Sequence, residues 1–105
     1  AALLELLRAA VTQAACKSVS RLFEVPAAAQ LTSKQLVALL SAAAAKGYSH
    51  HWTLRMLCCV PRVIEQLSSQ QTGQLLAEAE AQGSYDRCIK ELRELHDDVL
   101  RKRGE

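Results

Sequence analysis

Two stretches of the sequence, 36 residues apart, carry one pattern. Leu31 corresponds to Leu67, Gln35 to Gln71, Leu39-Leu40 to Leu75-Leu76 and Gly47 to Gly83. A fainter copy lies upstream, where Leu3 to Ala10 matches Leu36 to Ala43 at an offset of 33. Self-similarity at a fixed period of this size marks an array of supersecondary units, none of which can cover its own apolar face. Units over about 1–30, 31–66 and 67–103 are therefore expected to stack, and together they make a single domain over 1–105.

Composition says what the units are made of. Half the residues are apolar but only 4% are aromatic, with four Gly and two Pro in the 105. Ala and Leu lead the helix-propensity ranking, so the fold expected is all-α: a helix-pair solenoid, right-handed, of about three repeats. No apolar run reaches the roughly 18 residues that a membrane span requires, so no membrane partner is expected. The chain opens Ala-Ala-Leu-Leu, without Met and already inside an apolar helical pattern, which reads as part of a longer array.

Apolar residues at spacings of three and four, Leu3, Leu6, Leu7 and Ala10, place the first helix over about 2–14. A shorter helix over about 18–25 carries Val19, Leu22 and Phe23 and stops at Pro26, and 27–31 connects it to the next unit. Thr32 or Ser33 caps a helix over about 33–46, and Gly47 falls where a left-handed C-terminal cap belongs. The following helix runs from about 49 to 66, kinked at Pro61 rather than divided. In the third unit Ser68 or Ser69 caps a helix over about 70–82, Gly83 stops it, and a last helix covers 85–102. That helix is mostly charged, with Cys88, Ile89, Leu92, Leu95, Val99 and Leu100 as its apolar stripe, as suits the capping helix of an array. Leu39-Leu40 and Leu75-Leu76 are expected in equivalent buried positions.

The residues that could carry chemistry do not assemble into a catalytic pattern. Cys16, Cys58, Cys59 and Cys88 match no common zinc spacing and read as reduced core thiols in a reducing compartment. His50 and His51 read as an exposed first turn, and His96 with Asp97-Asp98 as part of a solvated helix face. With no phosphate loop, nucleophile elbow or His/Glu metal spacing, neither an enzyme nor a cofactor, metal or small-molecule substrate is expected.

Charge is uneven along the chain. Residues 1–30 carry three basic and two acidic groups, 31–70 four and one, and 71–105 six and eight. Only the middle unit is biased basic, through Lys34, Lys46, Arg55 and Arg62. Beside them Trp52 either stacks a base or packs between the helices of its unit.

Residues 31–48, Leu-Thr-Ser-Lys-Gln-Leu-Val-Ala-Leu-Leu-Ser-Ala-Ala-Ala-Ala-Lys-Gly-Tyr, resemble the opening helix of octotricopeptide and heptatricopeptide repeats and of the related repeats of FAST-kinase-domain and RAP-domain proteins. The likeness extends to 67–83 and more weakly to 2–15, where Ala14-Ala15 stand in place of the Gly-Tyr ending. The Pro-rich Trp signature of many octotricopeptide units is absent. The resemblance implies a non-catalytic module that binds or braces RNA in an organellar ribonucleoprotein, above all the mitochondrial ribosome, in the mitochondrial matrix or alternatively the chloroplast stroma. Partners would then be RNA, chiefly ribosomal and held by its backbone, and neighbouring protein subunits. The RNA-binding residues expected are Lys34, Lys46, His50, His51, Arg55 and Arg62. The other reading is a protein–protein scaffold of tetratricopeptide-like type.

Overall fold

The computed structural model describes residues 2–104; Ala1 and Glu105, and the side chains of Ala2, Tyr48 and Arg103, lie outside the described residues. The described residues form seven α-helices and two 3₁₀ turns, with no strand among them. In chain order these are α1 (Ala2–Thr12), α2 (Cys16–Glu24), a 3₁₀ turn over Pro26–Gln30, α3 (Ser33–Ala45), a 3₁₀ turn over Gly47–His50, α4 (His51–Cys59), α5 (Pro61–Gln66), α6 (Ser69–Ala81) and α7 (Asp86–Arg103). The protein is all-α.

The two matching sequence stretches open their helices in the same way. Thr32 accepts the Gln35 backbone N–H at 3.2 Å while the Gln35 carboxamide oxygen accepts the Thr32 N–H at 2.9 Å. Ser68 and Gln71 make the same reciprocal pair at 3.1 and 3.0 Å. Two capping boxes therefore open two 13-residue helices, satisfying backbone donors that have no partner inside the helix. Gln71 also donates to the Ser33 hydroxyl at 3.2 Å, so the second box is tied to the start of α3.

The helix ends repeat as well. Gly47 and Gly83 have φ of 76° and 67°, and Ala14, at the matching place after α1, has φ of 55°. After α1 the Ala15 N–H reaches the Ala10 carbonyl at 2.9 Å and the Ala14 N–H reaches that of Val11 at 3.1 Å. After α6 the Ser84 N–H reaches Ala79 at 3.0 Å and Gly83 reaches Glu80 at 3.2 Å. This is one C-terminal capping geometry used twice, and in the first unit an alanine carries the left-handed residue. The weak Ala14-Ala15 match in the sequence thus conceals a preserved turn.

Each such turn sends the chain back, so that α1 lies against α2, α3 against α4, and α6 against α7. Between units α1 touches α3 and α3 touches α6, while α2 touches α4 and α4 touches α7. The body measures 31 × 31 × 18 Å, and its short dimension is about two helix diameters. The core runs continuously through all three units, from Leu7, Val11 and Val19 through Leu36, Leu40 and Leu54 to Leu92, Leu95 and Val99.

Three expectations need correction. The helix expected to run kinked through Pro61 is two helices: Val60 is extended at φ −68°, ψ 121°, because the residue before a proline is pushed out of the α region. The second helix begins at Cys16 rather than near 18, and its 27–31 connector is a 3₁₀ turn begun by Pro26. Finally, Leu39, Leu40 and Leu75 are buried but Leu76 is only half-buried. Leu76 lies on α6, which packs against α3 and α7.

Leu40→Ala is expected to cost about 2–5 kcal/mol in chemical denaturation, as for a buried leucine, and Leu76→Ala clearly less. Ala14→Gly is expected to stabilise the protein by up to about 1 kcal/mol. It relieves an L-residue of left-handed backbone, and the added unfolded-state entropy of glycine offsets only part of that gain. A midpoint unchanged or lowered by Ala14→Gly would count against the strained turn.

Candidate nucleic-acid interface

α3 and α4 carry the basic residues of the middle unit. Lys34 lies in the first turn of α3 and Lys46 caps its far end, and both are exposed. At 1.5 Å rise per residue the two stand roughly 18 Å apart along one helix. A cation suits the C-terminal end of a helix and not the first turn, so Lys34 gains nothing from the helix dipole. It borders instead a shallow groove between α3 and α6, about 200 Å³ in volume, with Val37, Gln71, Gln74, Leu75 and Glu78.

On α4, Trp52 is 57% exposed, and it does not pack between the helices of its unit. The Arg55 guanidinium carbon lies 5.5 Å from the centre of the indole, in cation–π range. Behind the indole stands His51, its ring centre 5.0 Å away, and behind that Tyr85 at 6.1 Å. The exposed part of the indole and the Arg55 guanidinium over it together offer planar groups against which a flat unsaturated group can stack. Arg62 is half-buried in the first turn of α5. The four cations spread over three helices and form no single cluster.

The two histidines take other positions than expected. His50 and His51 are buried, not an exposed first turn. The His50 Nε2–H donates to the Thr12 carbonyl at 2.8 Å, and Nδ1 accepts from the Ser49 hydroxyl at 2.7 Å. That bond serves a carbonyl in the last turn of α1, which has no partner inside its helix, and pins the second unit to the first. The ring is occupied with packing. Of the six residues expected to contact RNA, Lys34, Lys46 and Arg55 are exposed and Arg62 is half-buried.

α7 supplies the opposing charge. Glu91 is half-buried, and its carboxyl is held above the ordinary range first by burial and then by Glu94, an effect that Arg55, Lys90 and His51 partly offset. Lys102 meets Glu65 at 3.3 Å, and Arg101 pairs with Asp98 one turn back. Exposed pairs of this kind contribute little stability.

His96 also departs from the solvated face expected for it. It is half-buried, with Nδ1 2.8 Å from the Thr72 hydroxyl, which lies within hydrogen-bonding distance of the Ser68 and Ser69 carbonyls as well. Gly73 makes the room, since a β-carbon there would stand 3.3 Å from His96 Cε1. A glycine in mid-helix was the one signal of this contact in the sequence. No group of three His, Cys, Asp or Glu side chains among the described residues is arranged to hold a metal ion. No described helix is long and apolar enough to cross a membrane.

All four cysteines are free thiols. Cys59 is exposed, Cys16 is half-buried 3.3 Å from the Thr53 hydroxyl, and Cys58 and Cys88 are buried. Burial pushes both buried thiols up, reinforced at Cys58 by Glu91, Cys59, Glu94 and Asp98 and at Cys88 by Glu91. Since the thiolate is the nucleophile, alkylation of the native protein at about pH 8 is expected to mark Cys59 first and Cys16 more slowly. Cys58 and Cys88 are expected to react only on unfolding, and mass mapping that finds either among the early products would contradict this packing.

A raised carboxyl pKa favours the protonated form in the folded state. Glu91 therefore contributes stability at acid pH, below its unfolded pKa, and that contribution is lost as pH rises through the folded value. Glu91→Gln is accordingly expected to raise the melting temperature near pH 7 and to leave it nearly unchanged near pH 4, as read by circular dichroism.

Comparison with family models, with curated proteins and with solved structures finds no match to this chain.

Proposed function

We propose that this chain is a segment of a right-handed helix-pair solenoid that binds or braces RNA, without catalysis, in an organellar ribonucleoprotein. The leading setting is the mitochondrial ribosome in the mitochondrial matrix. The observation that carries the RNA reading is the exposed surface of the middle unit, where Trp52 lies open beneath Arg55 and Lys34 and Lys46 mark the two ends of α3. The solenoid is supported by the two series of inter-helix contacts, α1 to α3 to α6 and α2 to α4 to α7. The organelle rests on the resemblance of residues 31–48 to octotricopeptide-type repeats. Four dispersed cations meet phosphates without reading bases, so recognition is by backbone, with stacking on Trp52 as a sequence-tolerant addition.

A second reading, a scaffold for protein partners, is favoured by the α3–α6 groove. Lys34, Glu78, Gln71 and Gln74 offer charges and carboxamides around an apolar floor of Val37 and Leu75, which suits an extended peptide.

Trp52 is the only tryptophan, so its emission reports directly on the proposed surface. Titration with single-stranded RNA is expected to quench it, with an affinity that falls as the log of salt with a slope of about −3 for four phosphate contacts. Replacing Lys34, Lys46, Arg55 and Arg62 together by Gln is expected to abolish binding while leaving the circular dichroism spectrum intact. Trp52→Leu is expected to weaken binding by roughly 1–3 kcal/mol at unchanged salt slope. An absence of binding even in low salt would leave the groove, and the scaffold reading, as the better account.

A further inference from the structure

The two ends of the helix stack differ in chemistry. Because the first helices correspond at offsets of 33 and 36 and the second helices at an offset of 35, the positions that a preceding unit covers can be separated from those that a following unit covers. Leu6, Leu39 and Leu75 are equivalent; Leu39 and Leu75 are 2% and 4% exposed, whereas Leu6 is 55% exposed. In the second helices Ser18, Thr53 and Cys88 are equivalent, and again the first is exposed and the others buried. Two contacts give this position its direction: Thr53 meets Cys16 at 3.3 Å and Cys88 meets the Gly47 carbonyl at 3.6 Å, in each case a residue of the unit before. Leu22, half-buried, stands where Leu57 and Leu92 are buried.

At the other end the equivalents run differently. Val11 and Ala44 are buried, and the last unit has an exposed Glu80 in their place. Half-buried Phe23 and buried Cys58 give way to exposed Arg93. The C-terminal face thus presents charged residues at these positions. The N-terminal end instead keeps a groove of about 360 Å³ between α1 and α2, floored by Leu6, Ala10, Ala15 and Leu22 and edged by Ser18 and Arg21.

We infer that the N-terminal face of α1 and α2 is a docking seat for one further antiparallel helix pair of this chain's own repeat kind, presenting aliphatic and small residues where the first two units present Leu7, Val11 and Val19 or Leu40, Ala44 and Leu54. The inference rests on the helix-pair stack of the preceding subsection. The occupant follows from continuity with the two interior junctions, where the same positions are already filled in this way. Ser18 keeps a hydroxyl where Thr53 has one, so a thiol or hydroxyl placed as Cys16 is finds its partner. A second copy of this chain is a poor occupant, because its C-terminal face would bring Glu80 and Arg93 onto a floor of Leu6, Ala10, Ala15 and Leu22, with polar partners only at the rim of Gln13, Ser18 and Arg21.

Grafting a copy of residues 31–69 ahead of Ala1 tests the seat, since the copied Leu67-Ser68-Ser69 then leads into α1 as it leads into α6. The grafted protein is expected to melt in one transition, above the parent. Leu6→Glu is expected to leave the parent's melting temperature within about 2 °C but to lower that of the grafted protein by roughly 10 °C or more, as Leu39→Glu does in the parent. Two separate transitions, or a grafted protein indifferent to Leu6→Glu, overturn the seat. A parent indifferent to Leu39→Glu overturns the stack itself, so the two failures are distinct. Sedimentation of the parent is expected to give a monomer; an oligomer that Leu6→Glu disperses would assign the seat to a second copy and overturn the proposed occupant.

Discussion

Burial between consecutive units is the interaction on which the rest of this structure depends. A pair of helices of nine to 13 residues is too short to hold its shape in water on propensity alone, and most of its stability has to come from packing. The middle unit illustrates this, with Leu36, Leu39, Leu40, Ala43 and Ala44 all buried, five of the 13 residues of α3. Such a wide apolar arc cannot be covered by α4 alone. It is closed by α1 on one side and α6 on the other. The outer units, with a neighbour on one side only, have Leu6 open at one end and Leu76 half-open at the other.

Polar contacts at the same junctions set the register of that packing. His50 to Thr12, Thr53 to Cys16, Gln71 to Ser33 and Cys88 to Gly47 each join one unit to the one before it. Hydrophobic burial is non-directional, and an Ala/Leu surface slides at small cost. A donor that must meet a carbonyl at 2.8 Å allows much less. The aliphatic residues thus supply the cohesion, and these four contacts fix where one unit stops relative to the next.

Much of the fold was legible from residue types whose local demands are strong. Thr32 and Ser68 with Gln35 and Gln71 announce helix starts, Gly47 and Gly83 announce ends, and the offset of 36 places the helices in units. What stayed hidden depended on what a side chain meets elsewhere. Ala14 takes the left-handed conformation because the turn to α2 imposes it, and nothing in Ala-Ala predicts that. Val60 breaks the helix because two rules compete at Pro61: a proline is tolerated in a helix's first turn, so a new start was as available as a kink. The histidines misled most. Spacing along one helix does not show that His50 will find the end of α1, or that Gly73 will open a place for His96.

These placements change what the candidate surface can recognise. The sequence offers six basic or titratable groups around Trp52, and packing removes the two histidines from contact with a ligand. Four lysines and arginines are left, spread over α3, α4 and α5, and groups so dispersed would hold a polyanion along its length without selecting a base. Arg55 is further restrained, because Glu91 on α7 shares its field. The field near Trp52 is therefore weaker than the count of cations in the middle unit suggests. Stacking on the indole then carries a larger share of any affinity, and it is a contribution that salt does not screen.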